Sequence, residues 1–254
     1  MTLFSLPYDY PRCVMNCRTC GRRSLCLPMA LDEHEIAQFD SIVQRRITMS
    51  KDGVLVHQKE SFSCVFAVRS GSFKQVIKQG ERDSQAQLSH FYLPGELMGL
   101  DGMGEGYYPG TIIALESSIA CEISYAALEA LSEHLPSLCT QLYQRLSTEL
   151  RDNRQTVFLL PNMKPDQRVA LFLTHLLQRF QRQGSSPYHL HLSMTRIDIG
   201  NYLGMTAETV SHILSRFQRL KVLSVSGRVI YIQDQKALLQ LAERPDRRQD
   251  VEAQ

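Results

Sequence analysis

No apolar run in the 254-residue sequence approaches the roughly 18 residues that suggest a membrane-spanning helix. A span of that kind is therefore excluded. The opening stretch, MTLFSLPYDYPRC, lacks the basic start and long apolar segment of a secretory signal. The expectation is a cytoplasmic protein whose thiols stay reduced. Also missing are a glycine-rich phosphate loop and any recognisable pairing of a nucleophile with a base, so the chain reads as a non-enzyme. It has no repeat of fixed period and no low-complexity stretch. Residues 83–144 contain no lysine or arginine, against eight acidic residues.

That gap divides the charge. Residues 1–82 hold 12 basic and 8 acidic residues, and residues 145–254 hold 16 and 10, leaving +2 overall. A basic part after an acidic middle suits a division of labour in which the C-terminal part meets phosphate. A hydrophobic content of 43% and a charged content of 21% are ordinary for a globular protein, and the length allows about two domains.

Thiols are concentrated in one place. The stretch RCVMNCRTCGRRSLCLPM (12–29) holds Cys13, Cys17, Cys20 and Cys26, four of the seven cysteines. Its neighbours are polar and basic, so packing does not explain them. Disulfides, a thiol redox switch, zinc and an iron–sulfur cluster are the candidate chemistries. Seven is odd and the setting reducing, which favours metal or redox chemistry over disulfides. Cys64 begins an apolar run and reads as a buried strand residue, and Cys139 sits on a helix seam.

The rest of the chain has readable punctuation. LDEHEIAQFDSIV (31–43) reads as a short amphipathic helix, and residues 46–127 have the strand-and-turn rhythm of a small antiparallel barrel or sandwich. Residues 134–160 form the longest helical segment. Leu135, Leu138, Leu142 and Leu146 can face the protein's own core. A second seam runs through Cys139, Tyr143, Leu146, Leu150, Asn153, Val157 and Leu160 in alternating steps of four and three, the spacing of a coiled coil. Two stripes suggest a homodimer along this helix, with Asn153 as the polar seam position that fixes register.

LSMTRIDIGNYLGMTAETVSHILSRFQRLKVLSVSGRVIYI (192–232) reads as a helix-turn-helix with a wing. Thr195 with Asp198 resembles a capping box, Gly204 supplies the turn, and Thr206 caps a second helix. In such motifs the second helix enters the major groove of DNA. Ala207, Glu208, Ser211 and His212 face outward near its start. Glu208 suits a cytosine amino group, and Ser211 can bond several bases. Thr195, Arg196, Thr206 and Arg216 are placed for phosphate contacts.

The order of cysteine loop, strands, long helix and winged helix-turn-helix resembles the CRP/FNR superfamily of bacterial transcription regulators, and in particular its FNR/ANR branch of oxygen sensors. The residues that carry the resemblance are CxxCxxxxxCLP at 17–28, VRSGSFK at 68–74, HFYLPGELMGLDGMG at 90–104, ALESSIACEI at 114–123 and MTRIDIGNYLGMTAETVS at 194–211. It implies an α+β fold. The expected parts are a cluster-binding loop (1–30), a cyclic-nucleotide-binding-like β-roll (31–133), a dimerisation helix (134–160), a winged helix-turn-helix (161–243) and a disordered tail (244–254).

The resemblance also implies one [4Fe–4S] cluster per subunit, held by Cys17, Cys20, Cys26 and the distant Cys121. Spacing alone does not choose that fourth ligand. Further implications are dimerisation under low oxygen, binding to a palindromic FNR-box-like site in double-stranded DNA, and contact with RNA polymerase. Cyclic AMP is not expected, because its phosphate needs a cation in the roll and residues 83–144 offer none. The rival reading is a DNA-binding regulator of the same fold that is zinc-stabilised and constitutive, or senses thiol redox state.

Four departures stand out. His212 replaces an Arg that reads guanine in the FNR branch. Asn153 replaces a carboxylate on the seam. Gly21 stands where a Ser follows the second ligand cysteine. The hairpin KQVIKQGERDSQAQLSH is about two residues longer, and in the family it carries a polymerase contact.

Overall fold

The computed structural model describes residues 16–78, 80, 86–159, 163–182 and 188–243, with side chains of the long helix described through Arg151. Cys13, the tip of the long hairpin, the side chains of Asn153 and Val157, and the tail lie outside the described residues. No helix among the described residues is long and apolar enough to cross a membrane.

The cysteine stretch folds as turns, with short 3-10 segments at Arg23–Leu25 and Leu27–Ala30. Leu27 and Leu31 anchor it in a core with Ile36 and Phe39 of α1 (Glu33–Ser41). Asp32 starts that helix by accepting from the main-chain N–H groups of His34 and Glu35, both at 2.8 Å. Glu35 returns the contact to the Asp32 N–H at 2.9 Å, completing a capping box.

Eight strands follow: β1 (Val43–Met49), β2 (Val54–Val56), β3 (Cys64–Ser70), β4 (Phe73–Lys78), β5 (Ala86–Tyr92), β6 (Leu97–Met98), β7 (Thr111–Ala114) and β8 (Ser118–Ser124). They make two four-stranded antiparallel sheets, ordered β1-β8-β3-β6 and β2-β7-β4-β5. Phe66, Val68, Phe73, Met98, Ile112 and Ala120 form a core of this roll. The tight turn from β3 to β4 depends on Gly71, at φ +73°, where a Cβ would fall 2.1 Å from the Ser118 Oγ.

α2 (Tyr125–His134) leads into α3 (Pro136–Leu159). Leu135, Leu138 and Leu142 are buried in the same core as Leu27 and Phe39. Tyr143 and Leu150 are instead 65% and 53% exposed, so two seam residues stay open in the single chain.

The C-terminal part holds α4 (Pro165–Arg182), β9 (His189–His191), α5 (Arg196–Leu203), α6 (Ala207–Arg219), β10 (Leu223–Ser226), β11 (Val229–Ile232) and α7 (Gln235–Glu243). The wing has three strands, ordered β10-β11-β9. The sequence reading has only the last two, because the partner of β11 lies some forty residues upstream.

The roll and the C-terminal part share one core. Leu88, Phe91, Leu93 and Leu115 of the roll pack with Phe172, Leu176 and Ile199. Polar ties flank them. Lys74 Nζ pairs with Asp198 at 2.6 Å, Ser72 Oγ donates to Ser193 Oγ at 2.6 Å, and Asn201 Oδ1 accepts from the Leu88 N–H at 3.0 Å.

Candidate cysteine site and nucleic-acid interface

Cys17, Cys20, Cys26 and Cys121 line one small cavity. Three come from the N-terminal turns. Cys17 N–H donates to Asp40 Oδ1 on α1 at 2.9 Å, and the Cys20 and Cys26 N–H groups bond carbonyls within the loop. Arg18 and Arg23 pair with Glu33 at 2.8 and 3.1 Å, and Arg23 also donates to the Leu31 carbonyl, so the loop is pinned to the start of α1. Cys121 arrives from the middle of β8, where its cross-strand partners are Arg46 on β1 and Ala67 on β3.

Arg22, Arg23 and Arg69 also line the cavity, with Phe39, Val43 and Ile123 as apolar walls. Burial pushes the Cys26 thiol up to about 12, with a smaller opposing effect from the Leu27 N–H. Burial also raises Cys17, and the nearby Asp40 adds to it. Cys121 is raised by burial against the pull of Arg46 and Arg69. These three thiols are therefore neutral at pH 7, and loading them with metal must release protons.

Cys64 is buried between the sheets, away from this cavity, with its carbonyl accepting from the Tyr108 hydroxyl at 2.7 Å. Cys139 lies on α3, outside this cavity. Among the described residues no three His, Cys, Asp or Glu side chains stand close enough to share one metal ion. A [4Fe–4S] group sets a different demand, because each of its four thiolates takes a different iron. A donor set of thiols flanked by guanidinium groups fits such a soft, anionic group.

The DNA-reading element has the expected caps. Thr195 Oγ1 accepts from the Asp198 N–H at 3.1 Å, and Asp198 Oδ2 accepts from the Thr195 N–H at 2.9 Å and from its hydroxyl at 2.7 Å. Gly204 ends α5 at φ +66°, and Thr206 Oγ1 accepts from the Thr209 N–H at 3.1 Å to start α6. Val210, Ile213, Leu214 and Phe217 are buried.

Glu208 and His212 project from the first turns of α6, 84% and 79% exposed and 3.8 Å apart. Ser211 donates to the Ala207 carbonyl at 2.9 Å, which commits its proton and leaves its oxygen as an acceptor. Arg196 is half-buried, and burial lowers its pKa. Arg216, expected to face phosphate, is instead held by Asp166 at the start of α4.

On α3, Tyr143 and Leu150 are exposed, and Leu146 packs partly on the N-terminal core. The sequence reading missed Arg46, Arg69 and Asp40 around the cysteines. Their roles depend on strand pairing and helix placement, for which a single sequence carries no local signal.

Comparison with known proteins agrees with this architecture. Residues 46–134 match the cyclic nucleotide-binding domain and residues 167–241 the Crp-like helix-turn-helix domain. The chain is 38% identical over 232 residues, 91% of each chain, to the fumarate and nitrate reduction regulatory protein of Escherichia coli K12. The fumarate nitrate reduction regulatory protein of Klebsiella oxytoca matches at the same identity and coverage. Among solved structures, FixK2 from Bradyrhizobium japonicum matches with a TM-score of 0.69 at 27% identity, over 77% of this chain and 96% of that one. With a sequence match of that extent and both domains present in order, the chain belongs to the CRP/FNR family of DNA-binding transcription regulators.

Proposed function

We propose that this regulator responds to oxygen through one [4Fe–4S] cluster per subunit, held by Cys17, Cys20, Cys26 and Cys121. The observation that carries the reading is the meeting of three loop thiols with a strand thiol from β8 in one cavity edged by arginines. When bound, the cluster supplies the oxygen-reactive iron and sulfide. Arg22, Arg23 and Arg69 offset the negative charge of four thiolates, and Asp40 holds the Cys17 main chain in place. Ligation to Cys121 ties the N-terminal loop to the roll shortly before α3, and so steadies that helix for pairing.

Two subunits then join along Tyr143, Leu146, Leu150, Asn153 and Val157. Each apolar side chain buried there contributes about 1.5–3 kcal/mol. The dimer presents two α6 helices to a palindromic site, with Glu208, Ser211 and His212 at base edges. Thr206, Thr195 and Arg196 lie along the phosphates, and Arg216 joins them by exchanging Asp166 for phosphate. RNA polymerase is the further partner, the cytoplasm the setting, and control of anaerobic genes the outcome. Cyclic AMP is not the effector, since the acidic stretch 83–144 offers no cation for its phosphate.

The test is iron and acid-labile sulfide in protein purified without air, with sedimentation and DNA affinity measured before and after oxygen. About four of each per subunit, with dimer and DNA binding lost on exposure, is the expected result. Zinc without sulfide would replace this reading with a structural metal. No metal at all would turn it towards thiol redox chemistry.

A further inference from the structure

Asp40 stands at odds with its surroundings on two counts. It sits in the last turn of α1, and the C-terminal end of a helix carries partial negative charge that suits a cation. It also lies beside Cys17, one of four thiols proposed as ligands, which carry negative charge once loaded. A carboxylate there repels the loaded site instead of stabilising it. Charge does not account for this residue, and its contacts do. Asp40 Oδ1 accepts from the Cys17 N–H at 2.9 Å and lies 3.6 Å from Arg46 Nη2. The two side chains are 30% and 21% exposed, so the contact is largely shielded from water. Arg46 stands directly opposite Cys121 where β1 pairs with β8. One carboxylate oxygen thus joins the main chain of one thiol to the strand neighbour of another.

The rest of the loop follows from that anchor. The Cys20 N–H donates to the Cys17 carbonyl at 3.3 Å, the Arg23 N–H to the Cys20 carbonyl at 3.0 Å, and the Cys26 N–H to the Arg22 carbonyl at 3.1 Å. At its far end the loop is held by buried Leu27, by Arg23 on the Leu31 carbonyl and by Arg145 on the Leu25 carbonyl. Near Cys17 the ties are Asp40 and the contacts of Arg18 with Glu33. Those two side chains are 52% and 63% exposed, and exposed pairs contribute little. Asp40 therefore bears most of the hold at the Cys17 end. Phe39, the residue before it, is buried and lines the thiol cavity, which fixes this end of α1.

We infer that Asp40 is a positioning residue that assembles the four-thiol site before any metal arrives. It holds Cys17, and the turns that follow, against Cys121 in the metal-free protein. The inference rests on the reading of the four thiols as one metal site, but not on which metal fills it. Arg46 offsets the charge of the carboxylate, so Asp40 supplies its contact without adding net charge to the cavity. Ordering the loop is then part of folding, and loading does not have to gather a loose segment.

The experiment uses the full chain, freed of metal without air, and dibromobimane, which fluoresces on bridging two neighbouring thiols. Peptide mapping counts only bridges that join Cys17, Cys20 or Cys26 to Cys121. Wild type should form them. Asp40→Ala should form them at least about tenfold more slowly, because a lost hydrogen bond to a charged acceptor lets the segment open. Asp40→Asn keeps an acceptor oxygen for the Cys17 N–H and should bridge nearly as fast as wild type. A purely electrostatic role would move both variants alike, since both remove the charge. Equal loss in the two variants, a wild-type rate in Asp40→Ala, or no bridge in wild type would each overturn the inference. The readout needs no metal, so its failure is distinct from failure of the oxygen reading.

Discussion

The guanidinium of Arg145 on α3 donates to the main-chain carbonyl of Leu25, 120 residues earlier and next to Cys26. It is a direct link between the cysteine loop and the long helix. A hydrogen bond from a charged donor is worth about 1.5–3 kcal/mol. Arg145→Gln should therefore uncouple the two. The expected result is a variant that still loads iron but whose monomer–dimer equilibrium shifts at least about tenfold less on loading. Sedimentation of both forms measures it, and an unchanged shift would remove Arg145 from the coupling.

Cys121 and Cys139 make a matched pair of controls. Serine is nearly isosteric with cysteine, so Cys121→Ser should leave the roll folded and abolish iron retention. Cys139→Ser, on α3 and outside the cavity, should retain iron in full. Iron content and visible absorption after anaerobic purification separate the two. Equal retention would mean that the fourth ligand lies elsewhere.

Leu150 is 53% exposed in the single chain. In the proposed dimer two copies would be buried, each worth about 1.5–3 kcal/mol. Leu150→Ala should weaken dimerisation by at least about tenfold and leave the thermal stability of the monomer almost unchanged. A large fall in monomer stability would show that Leu150 packs within its own chain.

His90 sets an acid limit. Burial, and then the nearby Arg179, lower its pKa to about 4 from the usual 6.5. Between those values the unfolded chain binds the proton and the folded chain does not, so stability falls as pH drops from 6.5 towards 4. The slope from this one group is about 1 kcal/mol per pH unit. His90→Gln should flatten urea-unfolding stability over that window, and an unaltered slope would discount His90 as its source.

His212 offers at most one ring contact to a guanine, where an arginine offers two parallel bonds. His212→Arg should sharpen preference at one base pair by about 1–3 kcal/mol. Binding to half-sites varied at that position measures it, and identical selectivity in both proteins would place the reading elsewhere.

Much of the DNA-reading element is written locally. Thr195 with Asp198, Gly204 and Thr206 act over three or four residues, and the structure puts each where its chemistry predicts. The leucines of α3 are legible for the same reason, since helical spacing decides which stripe is buried. What the sequence leaves hidden is long-range. Asp198 reads as a helix cap, yet it also receives Lys74 from a strand 124 residues away. Arg216 reads as a phosphate contact, yet Asp166 on α4 takes it first. Arg69 reaches Cys121 only because β3 lies beside β8.

The tie from Lys74 to Asp198 has a consequence for DNA geometry. One carboxylate both starts α5 and fastens it to the roll, with Ser72 and Ser193 fixed alongside. The angle of the reading helix is then a property of the rigid body rather than of a linker. In the proposed dimer, a pair of such subunits would work as a calliper with locked jaws. One base pair inserted between half-sites moves the second by about 3.4 Å and turns it by about 35°. The jaws cannot follow without breaking those contacts. Distance, as well as base identity, would then be part of what the proposed dimer measures.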